Sequence, residues 1–574
     1  DEYTQDGTVD LKGNPVLRSK TGSWTACLFL VGYEVFERMS YFGISSNLII
    51  YLTTKLHQGT VEAANNVTNW VGTVYLTPIL GAYIADAILG QYWAFLMTSG
   101  VYLLGMILLT LTVSLHSLKP PSCTDPTGLT CEKASSLQIA VYFAALYTVA
   151  LGTGLTKPNI STIGADQFDE FDVKEKNLKL SFFNWWMFSI SIGNFLAYTV
   201  LVYIQDNVGW SFGYGIPTVG LIVSLVIFCV GTPFYRHKPV KGSPFTTMVR
   251  VIVASFRKRD VTIPSDAKEL YELDSDVYKN GRHRIDSTSS LRFLNKASVK
   301  TECTSRWILC CVTEVEETKQ ILRMIPVLAT TFIPNTIVAQ TGTLFVKQGT
   351  TLERNVGSFK IPPASLGGFV TLFMLLVIIL YDRVFVRVMR KWLKNPRGIT
   401  LLQRMGLGTL LYASVMTVAC LVEKHRLAVA EAKGVKEIGS VVPLSIFILV
   451  PQFILMGLAD GFFLISTIEF FYDQAPTSMK SLGTSYYLTS IGVGNFISSF
   501  LLTTISRVTR HGGGDDRGGW IQNNLNTSRL DYYYATLAVL CVVNFGVFLV
   551  VSNKMYVYKA EVSDSMKILR RELE

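Results

Sequence analysis

The sequence predicts an all-α membrane protein of twelve transmembrane helices arranged in two six-helix bundles. Hydrophobic residues make up 49% of the 574 positions and charged residues only 16%, whereas a soluble domain averages about 25% charged residues. Apolar stretches long enough to cross a bilayer as a helix, about 20 residues each, recur along nearly the whole chain. The predicted spans are residues 25–53, 67–90, 93–116, 137–164, 181–205, 212–235, 320–345, 361–389, 401–422, 441–470, 480–507 and 531–556.

The spacing of these spans divides the chain into two halves joined by a basic linker. The predicted units are an N-terminal tail (1–24), a first bundle (25–235), the linker (236–319), a second bundle (320–556) and a C-terminal tail (557–574). Residues 236–310 hold 15 Lys or Arg against 8 Asp or Glu, so the positive-inside rule places the linker and both tails in the cytoplasm. We interpret this charge as a determinant of topology and predict no nucleic-acid binding. Residues 243–259 can form an amphipathic surface helix, and the linker around DSTSS is expected to be loose.

The first predicted span contains three ionisable side chains, Glu34, Glu37 and Arg38. A charge near the bilayer centre costs roughly 2.5–3.5 kcal/mol on insertion scales, so such groups normally face a water-filled cavity. Their i, i+3, i+4 spacing places all three on one helix face, and two carboxylates beside one guanidinium form a group whose protonation is easily shifted. The pattern predicts proton-coupled transport. The alternative is a buried structural ion pair, which would not need the second carboxylate.

Two further ionisable residues stand alone inside apolar segments. Lys157 lies well inside the fourth span, just before Pro158, and Asp460 lies inside the tenth. An intramembrane lysine needs a partner, and we expect a first-helix glutamate to fill that role; protonation of the glutamate would then free Lys157 to bind a substrate carboxylate. A snorkelling lysine is the alternative. An acid such as Asp460 suits a substrate ammonium and disfavours a lone anion.

Two loops carry further candidate residues. Asp86 lies in GAYIADAILGQY (81–92), where a carboxylate can cap the next helix and lock the inward-facing gate; this loop resembles the signature of the major facilitator superfamily, with Gln91 in place of the usual basic residue. Cys123 and Cys131 lie in the loop after the third span, on the oxidising outer face, where a disulfide can form. The nine cysteines show no metal-binding pattern.

Three motifs carry a resemblance to a known family. The ExxER motif (34–38), GTGLTKPNISTIGADQF (152–168) and SFFNWWMFSISIGNF (181–195) resemble the proton-dependent oligopeptide transporters, and most closely the plant nitrate/peptide transporter family with its wound-responsive peptide-transporter branch. The resemblance extends from about residue 8 to residue 560. It implies the major facilitator fold, transport rather than enzymatic activity, and protons as the coupling ion with no other cofactor.

The resemblance also implies roles for individual residues. Glu34, Glu37, Arg38 and Lys157 match the proton-coupling set, and Tyr41 and Tyr75 match positions near the substrate. Asp460 lies where peptide carriers place a glutamate that binds the peptide amino terminus. Glu469, nearer the end of the same helix, is interpreted as a gating or structural residue able to form an ion pair.

Several positions depart from the family patterns. Phe42 and Ser45 stand where peptide carriers often have a second tyrosine and an arginine. Val338 replaces the histidine of the nitrate-selective branch, Ala339 a helix-seven glutamate, and Ala94 a phosphorylated threonine. We therefore favour a proton-driven importer of di- or tripeptides working by alternating access. The alternatives are a carrier of nitrate, another small organic anion or a hormone, or a transceptor. We expect a monomer, with the plasma membrane favoured over the vacuolar membrane.

Overall fold

The first half of the chain is a bundle of α-helices that follows the apolar segments. The computed structural model describes residues 3–121, 134–169, 171–238, 242–264, 266, 269–273, 284–301, 305, 307–393, 399–510 and 519–555. The helices of this half are α1 (Ser23–Ser45), α2 (Leu48–Thr54), α3 (Thr60–Ile84), α4 (Gln91–Ser114), α5 (Ser136–Ala165), α6 (Val173–Leu196), α7 (Val202–Asn207) and α8 (Trp210–Val230). π-helical turns at Ala85–Leu89 and Ala197–Leu201 continue α3 and α6.

The second half repeats this plan after the linker helix α9 (Pro244–Arg257). Its helices are α10 (Val312–Arg323), α11 (Ile325–Thr330), α12 (Phe332–Val338), α13 (Leu344–Gly349), α14 (Gly367–Leu380), α15 (Val386–Leu393), α16 (Leu401–Ala432), α17 (Val450–Gln474), α18 (Lys480–Thr509) and α19 (Leu530–Val550). Four short strands lie between them: β1 (Leu352–Glu353), β2 (Asn355–Val356), β3 (Phe359–Lys360) and β4 (Val442–Ser445). β1 pairs in parallel with β4, and β2 pairs antiparallel with β3.

The described part of the chain contains ten helices long and apolar enough to cross a membrane, and an eleventh if the bent pair Val312–Thr330 and Phe332–Val338 is one span. The 23-residue α1 is also long enough to cross, although it carries three charged side chains. With α1 and the bent pair, each predicted apolar segment has a helical counterpart.

The boundaries differ from the prediction in three places. The first segment is not one helix, because the chain breaks at Ser46 and Asn47 before α2. A helix already begins at Val312, within the predicted linker, and continues past residue 320. The first turns of α10 are polar, so hydropathy does not predict a helix there. Within this helix the buried side chains of Lys319 and Glu316 pair with each other at 2.6 Å. The seventh segment bends by 48° instead of running straight.

The two halves meet along α3 and α18. Glycines allow this contact, because a Cβ built on Gly492 would lie 3.1 Å from the carbonyl oxygen of Gly72 and 2.9 Å from Leu76. A side chain at Gly492 would require Leu76 and the backbone at Gly72 to shift. The seam places the sides of α1, α3 and α5 that face the central site opposite the corresponding sides of α16, α17 and α18.

The linker is folded where the structure describes it, which corrects the expectation that the DSTSS region is loose. The apolar face of α9 packs against a 3₁₀ turn at Arg292–Ser298 and against α10, forming a small core of Val251, Ala254, Leu294, Ala297, Cys310 and Val315. The Thr288 hydroxyl donates to Glu316 at 2.7 Å. The predicted amphipathic helix is therefore present, but its apolar side contacts the linker and α10.

The N-terminal tail is also ordered, against the inner end of the first bundle. Val9 and His237 exchange backbone hydrogen bonds of 2.8 and 2.9 Å. The guanidinium of Arg236, which is fully buried, donates to Glu175 at 2.7 Å and to the Thr21 carbonyl at 2.6 Å. The backbone of Gln5 donates to Asp169. These contacts attach the tail to the ends of α5, α6 and α8 on the side of the linker.

Contacts between the halves close the opposite, outer side. Asp206 pairs with Arg354 at 3.5 Å, and the ring of Tyr203 stacks on Phe359 with centroids 5.0 Å apart. The Asn523 side chain accepts from the Thr60 backbone at 2.9 Å. These contacts lie at the helix ends remote from the linker, which the positive-inside prediction assigns to the outer side, and they close the centre of the protein on that side.

Candidate functional site

The charged face of α1 is as the sequence predicts. Arg38 Nε donates to Glu34 Oε1 at 2.7 Å and lies 2.9 Å from Glu37 Oε2, an ion-pair contact without hydrogen-bond geometry. Glu34 and Glu37 are 0% and 1% exposed. One oxygen of Glu34 and both oxygens of Glu37 have no hydrogen-bond partner among the described residues. Two buried carboxylates thus share one guanidinium, and Glu37 retains unused acceptor capacity for a proton.

A close approach of α6 positions this charged face. A Cβ built on Gly193 would lie 2.7 Å from both Arg38 Cβ and the Val35 carbonyl oxygen. Glycine at this position lets α6 pack directly against the backbone of α1. The SIGNF motif therefore has a steric role beside the charged residues.

Lys157 does not pair with a first-helix glutamate, which corrects the sequence-based expectation. Its ammonium nitrogen lies 3.9 Å from the ring centroid of Tyr41 and 4.3 Å from that of Tyr75. The nitrogen is buried and makes no hydrogen bond to a described residue. Glu37 and Glu34 act on it electrostatically without direct contact. A desolvated ammonium over an aromatic face gains about 2 kcal/mol or more, so the two rings replace the carboxylate as its partner.

The glycine-rich stretch before Lys157 explains how α5 reaches these rings. A Cβ on Gly154 would overlap the hydroxyl of Thr77 on α3. The close packing of α5 on α3 places Lys157 beside Tyr75, while Tyr41 comes from α1. Three helices therefore build this part of the site, and the predicted grouping of Tyr41, Tyr75 and Lys157 is present.

Asp460 is buried on α17 and has a partner that the sequence did not indicate. Its Oδ1 accepts a hydrogen bond of 2.6 Å from the hydroxyl of Tyr412 on α16. Tyr198 of the first half and Tyr487 of the second both lie within electrostatic range of Asp460 and of Tyr75. A group of tyrosines therefore links the surroundings of Lys157 to those of Asp460.

Phe42 extends this aromatic group. Its ring lies 5.0 Å from that of Tyr41 and 6.0 Å from that of Tyr198. Tyr198, Tyr412 and Tyr487 were missed because a tyrosine inside an apolar segment has no distinguishing sequence pattern. Their importance depends on contacts between helices distant in the chain.

Glu469 forms the predicted ion pair at the inner end of the second half. Its carboxylate lies 3.8 Å from Arg404, whose guanidinium covers the ring of Tyr381 at 4.1 Å and donates to the Gly461 carbonyl. Glu469 is 41% exposed. Its position away from Lys157 and Asp460 fits the predicted structural or gating role and not direct substrate contact.

Asp86 does not cap the following helix as predicted. It lies in the π-helical turn at the end of α3, and α4 begins after Gly90 without a side-chain cap. Gly90 has φ +77°, a conformation that favours glycine. The Asp86 carboxylate instead interacts with the side chain of Gln91.

Two other predictions concern cysteines and metals. Cys123 and Cys131 lie outside the described residues. No group of three or more His, Cys, Asp or Glu side chains able to hold a metal ion occurs among the residues that the structure describes.

Two helical halves enclosing a central site, with buried charges contributed by each half, define a multi-pass membrane transporter. The sequence model of the POT family matches residues 92–519, and the chain belongs to that family of transporters, which are not enzymes. It is similar to Protein NRT1/ PTR FAMILY 5.2 of Arabidopsis thaliana, with 61% identity over 577 residues covering 100% of this chain and 98% of the relative. Protein NRT1/ PTR FAMILY 5.3 of the same plant is 61% identical over 575 residues, covering 100% of this chain and 97% of the relative.

Solved structures show the same fold. The crystal structure of the POT family transporter PepTSo matches with a TM-score of 0.65 at 20% identity, covering 91% of this chain and 97% of that one. An auto-inhibited POT family peptide transporter matches with a TM-score of 0.65 at 18% identity, covering 93% and 98% of the two chains. The prediction of a major facilitator fold is confirmed.

Proposed function

We propose that this transporter imports di- and tripeptides together with protons by alternating access. The observation that carries the proposal is the placement of opposite charges on the two sides of the central site. Lys157 lies in the first half and Asp460 in the second, with tyrosines between them.

This arrangement suits a molecule with a positive and a negative end. The two ends of an extended dipeptide are about 6–7 Å apart, from the rise of roughly 3.3–3.6 Å per residue. Lys157 can receive the carboxylate and Asp460 the ammonium group. The intervening rings of Tyr75, Tyr198 and Tyr487 offer sequence-tolerant surfaces to peptide side chains, because aromatic faces contact apolar and cationic groups alike.

The charged face of α1 supplies the proton step. With both carboxylates ionised, the set of Glu34, Glu37 and Arg38 carries one net negative charge, and one proton makes it neutral. Protonation therefore removes the potential that draws Lys157 toward α1 and leaves the ammonium available to the peptide carboxylate. Loss of the proton restores the attraction and favours release.

The outer contacts support the conformational part of the proposal. Asp206–Arg354 and Tyr203–Phe359 join the halves on the outer side. A transporter that alternates must break these contacts to admit cargo from outside and reform them before releasing it to the cytoplasm.

The test is uptake of a labelled dipeptide and of nitrate into proteoliposomes with and without an inward proton gradient. Asp460→Asn removes the charge that faces the ammonium, and losing a charged hydrogen bond should raise the apparent KM for dipeptide by about tenfold or more. Glu431→Gln, at an exposed position near the end of α16, is the matched control and should leave uptake unchanged.

Glu37→Gln tests the coupling step separately. It should abolish accumulation driven by the proton gradient while dipeptide counterflow continues. Gradient-driven accumulation at the wild-type level in this variant would refute the coupling role of Glu37.

A carrier of a small anion is the second candidate, because the Lys157 ammonium contacts no described carboxylate and can accept a lone anion. In that case Asp460→Asn should leave nitrate uptake unchanged or improve it. Wild-type protein that transports nitrate and no dipeptide would overturn the peptide proposal.

A further inference from the structure

A second cavity lies on the outer side, between the ends of the two halves. Its volume is about 670 Å³. Tyr51, Lys55 and Trp210 of the first half and Lys347 and Asn526 of the second contribute to its wall. The cavity is separate from the central site, since Lys157 and Asp460 do not line it.

The lining is strongly basic. Lys55, Lys119 and Lys347 line the cavity together with His57, and no Asp or Glu is among the described lining residues. None of the three lysine side chains makes a hydrogen bond or ion pair with another described residue. Lysines are normally concentrated on the cytoplasmic side of a membrane protein, so three unpaired lysines around one outer cavity need an explanation.

Of the three lysines, Lys347 gives the strongest indication of a bound anion. It lies on α13, beyond the bent span, and burial lowers its pKa to about 8, with no opposing carboxylate among the residues that the structure describes. Lys347 is partly buried, and partial desolvation of an ammonium is unfavourable, so an anion in the cavity would offset that cost. The structure therefore presents a positive group whose natural partner is not a residue of the described chain.

A neighbouring arginine shows the contrast. Arg426 is fully buried beside the cavity, but it donates twice to Glu423, at 2.7 and 2.8 Å, and to Asn526 Oδ1 at 2.6 Å. Its charge is satisfied, so it supports the wall and does not attract a ligand. The indole N–H of Trp210, whose ring packs on Tyr51 at 5.0 Å, makes no hydrogen bond to a described residue and adds a neutral donor.

We propose that this outer cavity binds an oxyanion group, carried either by a free inorganic anion or by the carboxylate of an arriving cargo molecule. Because Lys55 belongs to one half and Lys347 to the other, the bound anion touches both halves and stabilises the outward-closed arrangement. An anion held there slows the opening of the outer side. The anion site itself does not depend on which cargo the central site carries, whereas a dipeptide carboxylate as its occupant rests on the proposed function.

The first test measures binding. The purified full-length protein in lipid nanodiscs is titrated with sodium sulfate and with acetate, against sodium chloride at equal ionic strength, and the heat is recorded by calorimetry. Wild-type protein should show saturable binding of at least one of the two anions. Lys347→Gln should weaken it by about tenfold or more, since a charged contact is lost.

Lys433→Gln is the matched control, because Lys433 is exposed directly after α16 and does not line the cavity. It should bind the anion like the wild type. Lys55→Gln and Lys119→Gln provide the same test if Lys347→Gln fails to fold. Absence of saturable binding of both anions, or wild-type affinity in the lysine variants, would overturn the proposal.

The second test distinguishes the two sources of the anion and examines whether the bound anion connects the two halves. A dipeptide should compete with sulfate if the cargo carboxylate is the occupant, and its C-terminally amidated analogue should not; competition by neither identifies the inorganic anion.

Fluorophores introduced as non-natural amino acids at the exposed Ser117 and Glu437 report the distance between the two halves on the outer side. The bound anion should shift that distance toward its shorter value in wild type but not in Lys347→Gln. An unchanged distance on saturation would disprove the bridging role.

Discussion

Removing one aromatic ring from beside Lys157 should impair transport in a way that depends on the ring and not on the hydroxyl. Tyr75→Leu deletes one of the two faces that contact the ammonium, 4.3 Å from its centroid, and leaves Tyr41 at 3.9 Å. Tyr75→Phe keeps the face and deletes only the hydroxyl. The comparison isolates the interaction between the cation and the ring.

The expected magnitude follows from the burial of the ammonium. A cation–π contact contributes about 0.5–1 kcal/mol at exposed sites and about 2 kcal/mol or more when desolvated. A loss of about 1–2 kcal/mol changes the population of the ring-bound ammonium by about 5- to 30-fold. The displaced ammonium moves toward Glu34 and Glu37, which already act on it electrostatically. It then competes with the proton at α1 and is less available to cargo.

The assay is the initial rate of dipeptide uptake into proteoliposomes across a range of inward proton gradients. Tyr75→Leu should lower the rate by about 5- to 30-fold, and a steeper gradient should recover part of the loss because protonation of α1 releases the lysine. Tyr75→Phe should stay within about twofold of wild type. Equal rates in Tyr75→Leu and Tyr75→Phe would refute the role of the ring.

Two further predictions concern the attachment of the N-terminal tail to the first bundle. Arg236→Met leaves Glu175 without the cation that contacts it at 2.7 Å. Because breaking a buried ion pair costs about 3–5 kcal/mol, the variant should unfold at a clearly lower temperature than the wild type. The control is Lys20→Met, a change at an exposed position of the same tail, which should unfold at the wild-type temperature. Burial lowers the pKa of His237 to about 4, below its ordinary 6.5, so the docked tail favours the neutral ring. Docking is complete above about pH 6.5 and weakens as the pH falls toward 4. The protection factor of the Val9 amide, its intrinsic exchange rate divided by its observed rate at the same pH, should therefore fall between pH 7 and pH 5. His237→Gln should remove this fall, and an equal fall in the variant would contradict the assignment.

The helices and the charged face of α1 could be predicted because both depend on local sequence. Apolar stretches of membrane-spanning length define the spans, and the i, i+3, i+4 spacing alone brings Glu34, Glu37 and Arg38 together. The start of α10 was missed for the same reason, since its polar first turns resemble a linker until Lys319 is seen to pair with Glu316.

The partners of Lys157 and Asp460 could not be predicted, because they lie on other helices. A lysine inside a membrane can be stabilised by a carboxylate or by aromatic faces, and both Glu37 and Tyr41 lie on the neighbouring α1. Only the packing of α5 on α3 decides between them. The hydroxyl of Tyr412, which contacts Asp460, is 48 residues away in sequence.

The contacts between the halves differ in strength, and this difference indicates how the molecule can open. The Asp206–Arg354 pair is 3.5 Å long and both side chains are partly exposed, so it contributes about 0–1 kcal/mol. At the seam between α3 and α18, Gly492 lies against Leu76 and the Gly72 carbonyl oxygen, and Gly72 lies against the ring of Phe496. These closely packed helices cannot be separated without creating a void along their length. Opening of the outer side therefore requires the loss of weak polar contacts, while the α3–α18 seam stays in contact and acts as the pivot. As the halves turn about this pivot, the charged residues of the central site on either side of it become more or less exposed, with little change in their own packing.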